Sequence, residues 1–179
     1  LAYWTDRLAH GDEASVVAAL IGSPEGRRSL VSRTYQQLLH RPPTAVELAE
    51  WTPRVGRGAG LDALRVTLLA SAEAYQQGGG TPDGVLDLVY HRLLGRAPDD
   101  GGRAFHLARL SSGVPRTAVV ASIVASTEAD RHLVVATYQH LLGRLPSAAE
   151  LATWVGALRS GATEQSLVVA LLSSSEYRA

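Results

Sequence analysis

Residues 138–146, YQHLLGRLP, indicate the architecture of this chain, because two closely related segments precede them. They are YHRLLGRAP at residues 90–98 and YQQLLHRPP at residues 35–43. A tyrosine, a pair of leucines, an arginine and a proline keep the same spacing in all three. Self-similarity at a fixed period of roughly 20–50 residues is typical of proteins built from stacked supersecondary units. The sequence therefore predicts an array of repeats.

Other residues recur in register with these stretches. A tryptophan or histidine follows each tyrosine, and a Ser-x-Glu element closes each repeat. The recurring positions are Trp4, Trp51, His106 and Trp154; Tyr35, Tyr90 and Tyr138; Arg41, Arg96 and Arg144; and Glu25, Glu73, Glu128 and Glu176. The period is about 48 residues. We predict the C-terminal part of a first repeat at 1–29, repeat one at 30–77, repeat two at 78–132 with a Gly-rich insertion at its start, and repeat three at 133–179.

Each repeat reads as three helices, so the predicted fold is all-α, a tandem array of three-helix repeats stacked on one another. Apolar residues at i, i+4, i+7 and i+8 mark one face of the first helix, as in Val31, Tyr35, Leu38 and Leu39. We expect the first such helix to run from about Pro24 to about Leu39.

Helix ends are also predicted. Gly95 and Gly143 stand where a left-handed C-cap belongs, with His40 in the same position of repeat one. Thr44 with Glu47, and likewise Ser147 with Glu150, fit the capping box that starts a second helix, whereas repeat two has Asp99 and Gly102 there.

The second helix is expected to bury Leu48, Trp51 and Val55 and to end at Gly58, the counterpart of Gly11. The segment from Gln76 to Thr81 contains three consecutive glycines and is predicted to form a loop.

Composition excludes several classes of protein. Seventeen basic residues balance seventeen acidic ones, which gives no reason to expect nucleic acid as a partner. The chain has no cysteine, which rules out disulfides and thiolate chemistry, and no apolar run of membrane-spanning length, so we expect no membrane insertion. All basic residues are arginine, and lysine and asparagine are absent. Such usage indicates a high-GC bacterium as the source.

Taken together, these motifs resemble the bacterial repeat family DUF4214, a domain of unknown function. Repeat three carries the resemblance best, through its tyrosine stretch, Trp154, Gly161 and the Ser174–Tyr177 segment. The departures are His40 in place of glycine, His106 in place of tryptophan, and the absence of the aromatic residue near Glu25 and Glu128. The resemblance implies a module of a larger secreted or cell-surface bacterial protein, of the kind found beside calcium-binding glycine-rich repeats or adhesin-like modules. It supplies no catalytic residues.

The recurring aromatic residues have two interpretations. Flat tryptophan faces serve as platforms for sugars in carbohydrate-binding modules. Here the tryptophans share a helical stripe with leucines, so we predict that they and the tyrosines belong to the core. The recurring arginine and the glutamate of Ser-x-Glu are predicted to form a structural pair across a repeat junction, because a bidentate contact would fix the angle between neighbours.

Repeat two departs most from its siblings, which makes it the candidate ligand site. The predicted ligand-binding residues are Arg96, Asp99, Asp100, Arg103 and His106. The competing interpretation is drift in a repeat that tolerates substitution. A single histidine among separate helices does not form a metal site, and the adjacent acidic pair lacks the alternating ligands of a calcium loop. We therefore expect no metal and no cofactor.

These observations predict a non-catalytic interaction or scaffold module, not an enzyme. Its expected partner is a protein or a glycan at the bacterial surface, and self-association through the open ends of the array is a further predicted interaction. A carbohydrate-binding module is the alternative, and an auxiliary domain of an enzyme is a third. The expected location is secreted or cell-surface.

Overall fold

The structure, a computed structural model, describes residues 13–57 and 60–177. Within these ranges the chain is all-α, without a strand, which confirms the predicted fold class. Eleven helices are described there: α1 Glu13–Ile21, α2 Pro24–Leu39, α3 Ala45–Trp51, α4 Gly60–Leu69, α5 Ala72–Gln77, α6 Pro82–Leu94, α7 Asp100–Ser111, α8 Arg116–Val124, α9 Thr127–Leu142, α10 Ala148–Arg159 and α11 Glu164–Leu172.

The chain divides into two compact units. One contains Leu30–His132, and the other combines Leu1–Ser29 with Leu133–Ala179. We call them the continuous unit and the divided unit. The continuous unit spans the two ranges predicted as repeats one and two, and the period of about 48 residues stays a prediction.

The continuous unit is held by one large apolar core. Helix α4 packs against α8, while α6 packs against both α5 and α7. Leu64 and Leu69 of α4 are completely buried, and Val119, Val120 and Ile123 of α8 are at most 3% exposed. Burial of this kind stabilises a fold by roughly 1.5–3 kcal/mol per large aliphatic side chain, so the α4–α8 contact is a principal source of the unit's stability.

The divided unit contains a pair of packed helices like α4 and α8, but its two helices come from distant parts of the sequence. Helix α1 packs against α11. The buried cluster of this unit consists of Val134, Tyr138, Leu167 and Leu171, with half-buried apolar residues of α9 and α10 around it. A linear stack of sequence neighbours does not predict this contact, because it joins the first and the last predicted repeats.

Helix starts follow the sequence closely. Helix α2 begins at Pro24 and ends at Leu39, as expected. The hydroxyl of every Ser-x-Glu serine accepts a hydrogen bond from a backbone N–H three residues on. These bonds are Gly26 to Ser23 at 3.0 Å, Ala74 to Ser71 at 3.1 Å, Ala129 to Ser126 at 3.1 Å and Tyr177 to Ser174 at 3.2 Å. The first three bonds satisfy backbone amides that would otherwise lack a partner at the start of α2, α5 and α9, and the fourth closes a turn after α11.

The residues predicted to adopt the left-handed conformation do adopt it. Gly95 and Gly143 have φ of 68° and 67°, and His40 adopts the same region with φ of 55°. A side chain makes this conformation unfavourable, and His40 is the one non-glycine residue of the described chain that takes it. The turn after the first helix is therefore kept even where glycine is lost.

The second helix of repeat one is shorter than expected. Helix α3 ends at Trp51, and residues 52–57 form turns. Pro53 explains the early end, because proline has no N–H to donate and its ring clashes with the carbonyl four residues earlier. Val55 nevertheless stays 3% exposed. The predicted end at Gly58 lies outside the described residues, as do Gly11 and Trp4.

The three glycines of repeat two interrupt the helical path, as predicted. Helix α5 ends at Gln77, and α6 starts at Pro82 with the Thr81 hydroxyl as its cap. Gly79 and Gly80 have φ of 81° and 69°, which an L-residue rarely adopts. None of the described helices is long and apolar enough to cross a membrane.

Candidate functional site

A cluster of one arginine and two carboxylates, which we call an arginine clamp, follows the first helix of repeat one. Arg41 donates to Glu47 through both terminal nitrogens, at 2.9 and 2.8 Å. The same side chain donates to Glu73 through Nε and Nη2, each at 2.8 Å. Arg41 thus joins the start of α3 to the start of α5 with four charge-assisted hydrogen bonds.

The clamp alters the acidity of its members. The Arg41 guanidinium, with hydrogen bonds from Thr44, lowers the pKa of Glu47 to about 2. These carboxylate bonds raise the pKa of Arg41. Tyr35 lies beneath the guanidinium, whose carbon is 5.2 Å from the ring centroid, and burial followed by the charge of Glu47 raises the pKa of this tyrosine to about 12. The charges are therefore mutually satisfied over a buried ring.

Repeat three contains the same arrangement. Arg144 donates to Glu150 at 3.0 and 2.8 Å, and to Glu176 at 2.7 Å through Nη2 and also through Nε. Tyr138 lies 5.2 Å beneath this guanidinium. The bonds from Arg144, followed by those from Ser147, lower the pKa of Glu150 to about 2. Two predicted repeats thus build an identical polar cluster from equivalent residues.

Repeat two contains a reduced clamp. Arg96 donates to Glu128 at 2.5 and 2.8 Å and lies over Tyr90 at 5.3 Å. The second carboxylate is missing because Gly102 stands at the position of Glu47. Asp99 replaces it in part, with its Oδ2 at 3.4 Å from Nη1 of Arg96. The predicted arginine–glutamate pairing is therefore present in three repeats, and each pair lies within one predicted repeat instead of across a junction.

The predicted ligand-binding residues have separate surroundings. Asp99 caps α7 by accepting from Gly102 N–H at 2.8 Å, and that bond lowers its pKa. Asp100 is exposed in the first turn of α7. Arg96 and Asp99 are in contact, whereas Arg103 and His106 have other partners.

Arg103 forms ion pairs with Asp83 and Asp87 of α6. The hydrogen bonds to Asp87 and Asp83 raise the pKa of Arg103. The pattern of repeats gave no signal for this contact, because none of these three residues belongs to the recurring set. In helical spacing, however, Asp83 and Asp87 are four residues apart and share a face. Arg103 thus attaches the start of α7 to α6.

His106 takes the buried place that Trp51 has in repeat one. It is 8% exposed, and its ring meets the edges of Tyr90 and Phe105 at centroid distances of 6.1 and 5.1 Å. Its Nδ1 is buried without a hydrogen-bond partner. Burial lowers the pKa of this imidazole, and the charge of Arg109 lowers it further.

The tryptophans differ in burial. Trp51 is 6% exposed, which confirms its predicted place in the core. Trp154 is half-buried at the edge of the core of the divided unit. The exposed aromatic residues of the described chain are instead Phe105, at 59%, and Tyr177, at 49%. Neither described tryptophan is an open platform.

Two arginines missed by the sequence analysis stabilise helix ends in the continuous unit. Arg92 of α6 donates to the carbonyl of Leu38, near the C-terminus of α2, and to Gln77 at 3.0 Å. Arg116 of α8 donates to the carbonyl of Ala70 at 2.8 Å, just after α4, and lies over the ring of Tyr75. Cations are favourable at helix C-termini, where carbonyls lack partners.

A groove of about 520 Å³ lies between α1 and α11 in the divided unit. Small and apolar side chains such as Ala14, Ala18, Val169 and Ala170 line it. Among residues 13–57 and 60–177, no three histidine or acidic side chains lie together in a geometry that would hold a metal ion.

Comparison with known proteins gives one match. The family described as "Domain of unknown function (DUF4214)" matches the chain twice, at residues 65–133 and 129–179. No curated protein and no solved structure matches the chain.

Proposed function

Since this chain belongs to the DUF4214 family, a domain of unknown function, we propose that it is a non-catalytic interaction module. It binds a protein or a surface polymer as part of a larger secreted or cell-surface bacterial protein. The family resemblance supports a location outside the cell. The arginine clamps support a structural, non-catalytic module.

The recurring charged residues serve the frame of the module. Arg41 and Arg144 each bind two carboxylates. One of the two is in each case the N3 glutamate of a capping box, Glu47 or Glu150. A side chain held by several charge-assisted bonds is poorly suited to proton transfer or substrate capture. Repetition of such a cluster supports a scaffold in which the arginine clamps hold the helices in place. The surfaces between the clamps then contact the partner.

Binding to immobilised bacterial surface polysaccharide, peptidoglycan and a glycan array tests the proposal. We expect saturable binding of the folded chain to one of these ligands, no binding after heat unfolding, and no change in the mass of the bound ligand. Release of products from the ligand would show an enzyme and contradict the proposal. Failure of every ligand, including a panel of surface proteins, would contradict it as well.

The binding site is a separate question. Arg96, Asp99, Asp100, Arg103 and His106 stay the predicted ligand contacts, although Arg96 and Arg103 are engaged with carboxylates. Chemical-shift mapping with the ligand found above should perturb residues 95–110 if the prediction is right. Perturbations confined to repeat one or repeat three would contradict it.

A carbohydrate-binding module is the second candidate, and Phe105 favours it. This ring is 59% exposed on α7, with the guanidinium of Arg109 5.6 Å from its centroid. An aromatic face beside a hydrogen-bond donor suits the apolar face and hydroxyls of a sugar. Phe105→Ala should abolish glycan binding, whereas Val46→Ala, which removes another exposed apolar side chain (77% exposed), should not.

A further inference from the structure

Helix α7 is joined to its neighbours by unlike contacts in its two halves. Its N-terminal half carries Arg103, which pairs with Asp83 and Asp87 of α6. Its C-terminal half contributes one buried side chain, His106, with half-buried Leu107 and Leu110 beside it, and Arg109 donates to the exposed hydroxyl of Ser122 on α8 at 2.9 Å. The second helix of repeat one is similar, since Trp51 is the one buried residue of α3. In repeat two the anchoring ring is therefore a titratable one.

The surroundings of His106 accommodate only a neutral imidazole. The ring lies against Tyr90 and Phe105, and Nδ1 has no acceptor. Protonation would place a charge and a second N–H where neither is compensated. A buried, unpaired charge is among the strongest destabilising features known in proteins.

The charged groups on the elements around the ring give the imidazolium no counter-ion. On α7 itself, Arg109 is the facing charge and repels a proton. On α6, Asp83 and Asp87 are bound to Arg103.

The remaining neighbours add no acid either. Arg96 holds Asp99 before α7 and Glu128 of α9. On α8, which also packs against α7, the charged residue is Arg116, and it binds the carbonyl of Ala70.

We propose that His106 is an acid-sensitive anchor, whose protonation releases the C-terminal half of α7 from the continuous unit while Arg103 keeps its N-terminal half attached. The released segment exposes Tyr90 and the apolar side of α7. The opening is local, because α6 keeps its contact with α5 and α8 keeps its contact with α4.

The direction of the pH effect follows from linkage. Burial keeps the pKa of His106 in the folded state below the ordinary 6.5. The open state then binds more protons than the closed state below pH 6.5, so closure weakens as pH falls through that value and levels off below the folded-state pKa. One coupled proton raises the opening constant by at most about tenfold per pH unit.

Hydrogen exchange measured residue by residue between pH 7.5 and 5 tests the proposal in the whole chain. After correction for intrinsic rates, we expect the opening constants of amides 106–111 to rise towards tenfold per pH unit below pH 6.5. Amides of α8 should show no such rise. His106→Trp, which installs the residue of the sibling repeats, and His106→Phe should remove the rise, whereas His91→Gln at an exposed position of α6 should preserve it.

The wild-type imidazole signal provides a second measurement, which does not depend on whether the variants fold. We expect protonation of His106, followed by NMR, to coincide with loss of protection in residues 106–111. Protonation without loss of protection would overturn the proposal. An equal pH dependence in wild type and His106→Phe would overturn it too.

Discussion

Arg144 and Glu176 are 32 residues apart in the sequence and are joined by two parallel hydrogen bonds, the Nη2–Oε2 bond being 2.7 Å long. Arg41 with Glu73, and Arg96 with Glu128, have the same separation and the same pairing of atoms. A contact repeated in this way fixes the distance between the end of one helix and a later Ser-x-Glu segment. The clamp is therefore a spacing element of the predicted repeat.

Neutralising a clamp carboxylate should destabilise the protein more than neutralising a surface carboxylate of the same helix. Glu47 and Glu50 form a matched pair on α3: Glu47 binds Arg41, and Glu50 forms a surface pair with Arg54 in which the side chains are 49% and 57% exposed. We expect Glu47→Gln to lower the free energy of unfolding by about 1–2 kcal/mol. Glu50→Gln should lower it by less than about 0.5 kcal/mol. Urea unfolding measures both, and equal effects would show that the clamp is only a surface contact.

Acid should weaken the clamps within a defined pH window. The pKa of Glu47 falls from its ordinary 4.5 to about 2 in the folded protein. The unfolded chain therefore binds protons first, and the stabilisation is complete above about pH 4.5 and lost as the pH falls towards 2. The stability of Glu47→Gln should depend less on pH than that of wild type in this window. Parallel pH curves would contradict the low pKa of Glu47.

The two described tryptophans should differ in their contribution to stability. Trp51→Ala removes a 6% exposed side chain and should cost about 3–5 kcal/mol. Trp154→Ala removes a half-buried one and should cost less, about 1–3 kcal/mol. Urea unfolding followed by circular dichroism avoids dependence on tryptophan emission. A larger loss at Trp154 would contradict the expectation that burial sets the contribution of each tryptophan.

Two glycine-to-alanine substitutions in repeat two should have opposite effects. Gly101 lies in the first turn of α7, and a Cβ there would meet nothing closer than Asp99 Oδ1 at 3.4 Å. Gly101→Ala should stabilise by about 0.5–1 kcal/mol through helix propensity and a less flexible unfolded chain. Gly95 has φ of 68°, and a Cβ there would lie 3.0 Å from His132 Nε2. Gly95→Ala should therefore destabilise, and thermal unfolding of both variants checks the difference in sign.

Local signals accounted for much of the fold. The bounds of α2, the serine caps and the left-handed His40 follow from residues within a few positions of one another. The early end of α3 could have been predicted as well, because Pro53 is a local signal for the end of a helix. The prediction followed the repeat pattern instead.

Contacts between distant helices could not be predicted in the same way. Periodicity identifies which face of a helix is apolar but not which helix covers it. The sequence pattern therefore did not indicate that α1 packs on α11. In the candidate site, the arginine–glutamate pairs were predicted because they recur. The ion pairs of Arg103 occur in one predicted repeat only, so no equivalent residues in the other repeats indicated them.

The division of the chain has a consequence for the order in which it folds during synthesis. Every helix of the continuous unit comes from one uninterrupted stretch, so this unit can complete its core before α11 is translated. Helix α1 leaves the ribosome before this unit, yet its partner α11 is made after the whole of residues 30–132. Contacts between residues so far apart in sequence form slowly, because the entropy of closing the loop is lost before the contact is made. Until then, the apolar face of α1 is a nascent-chain segment without its partner, of the kind that chaperones recognise.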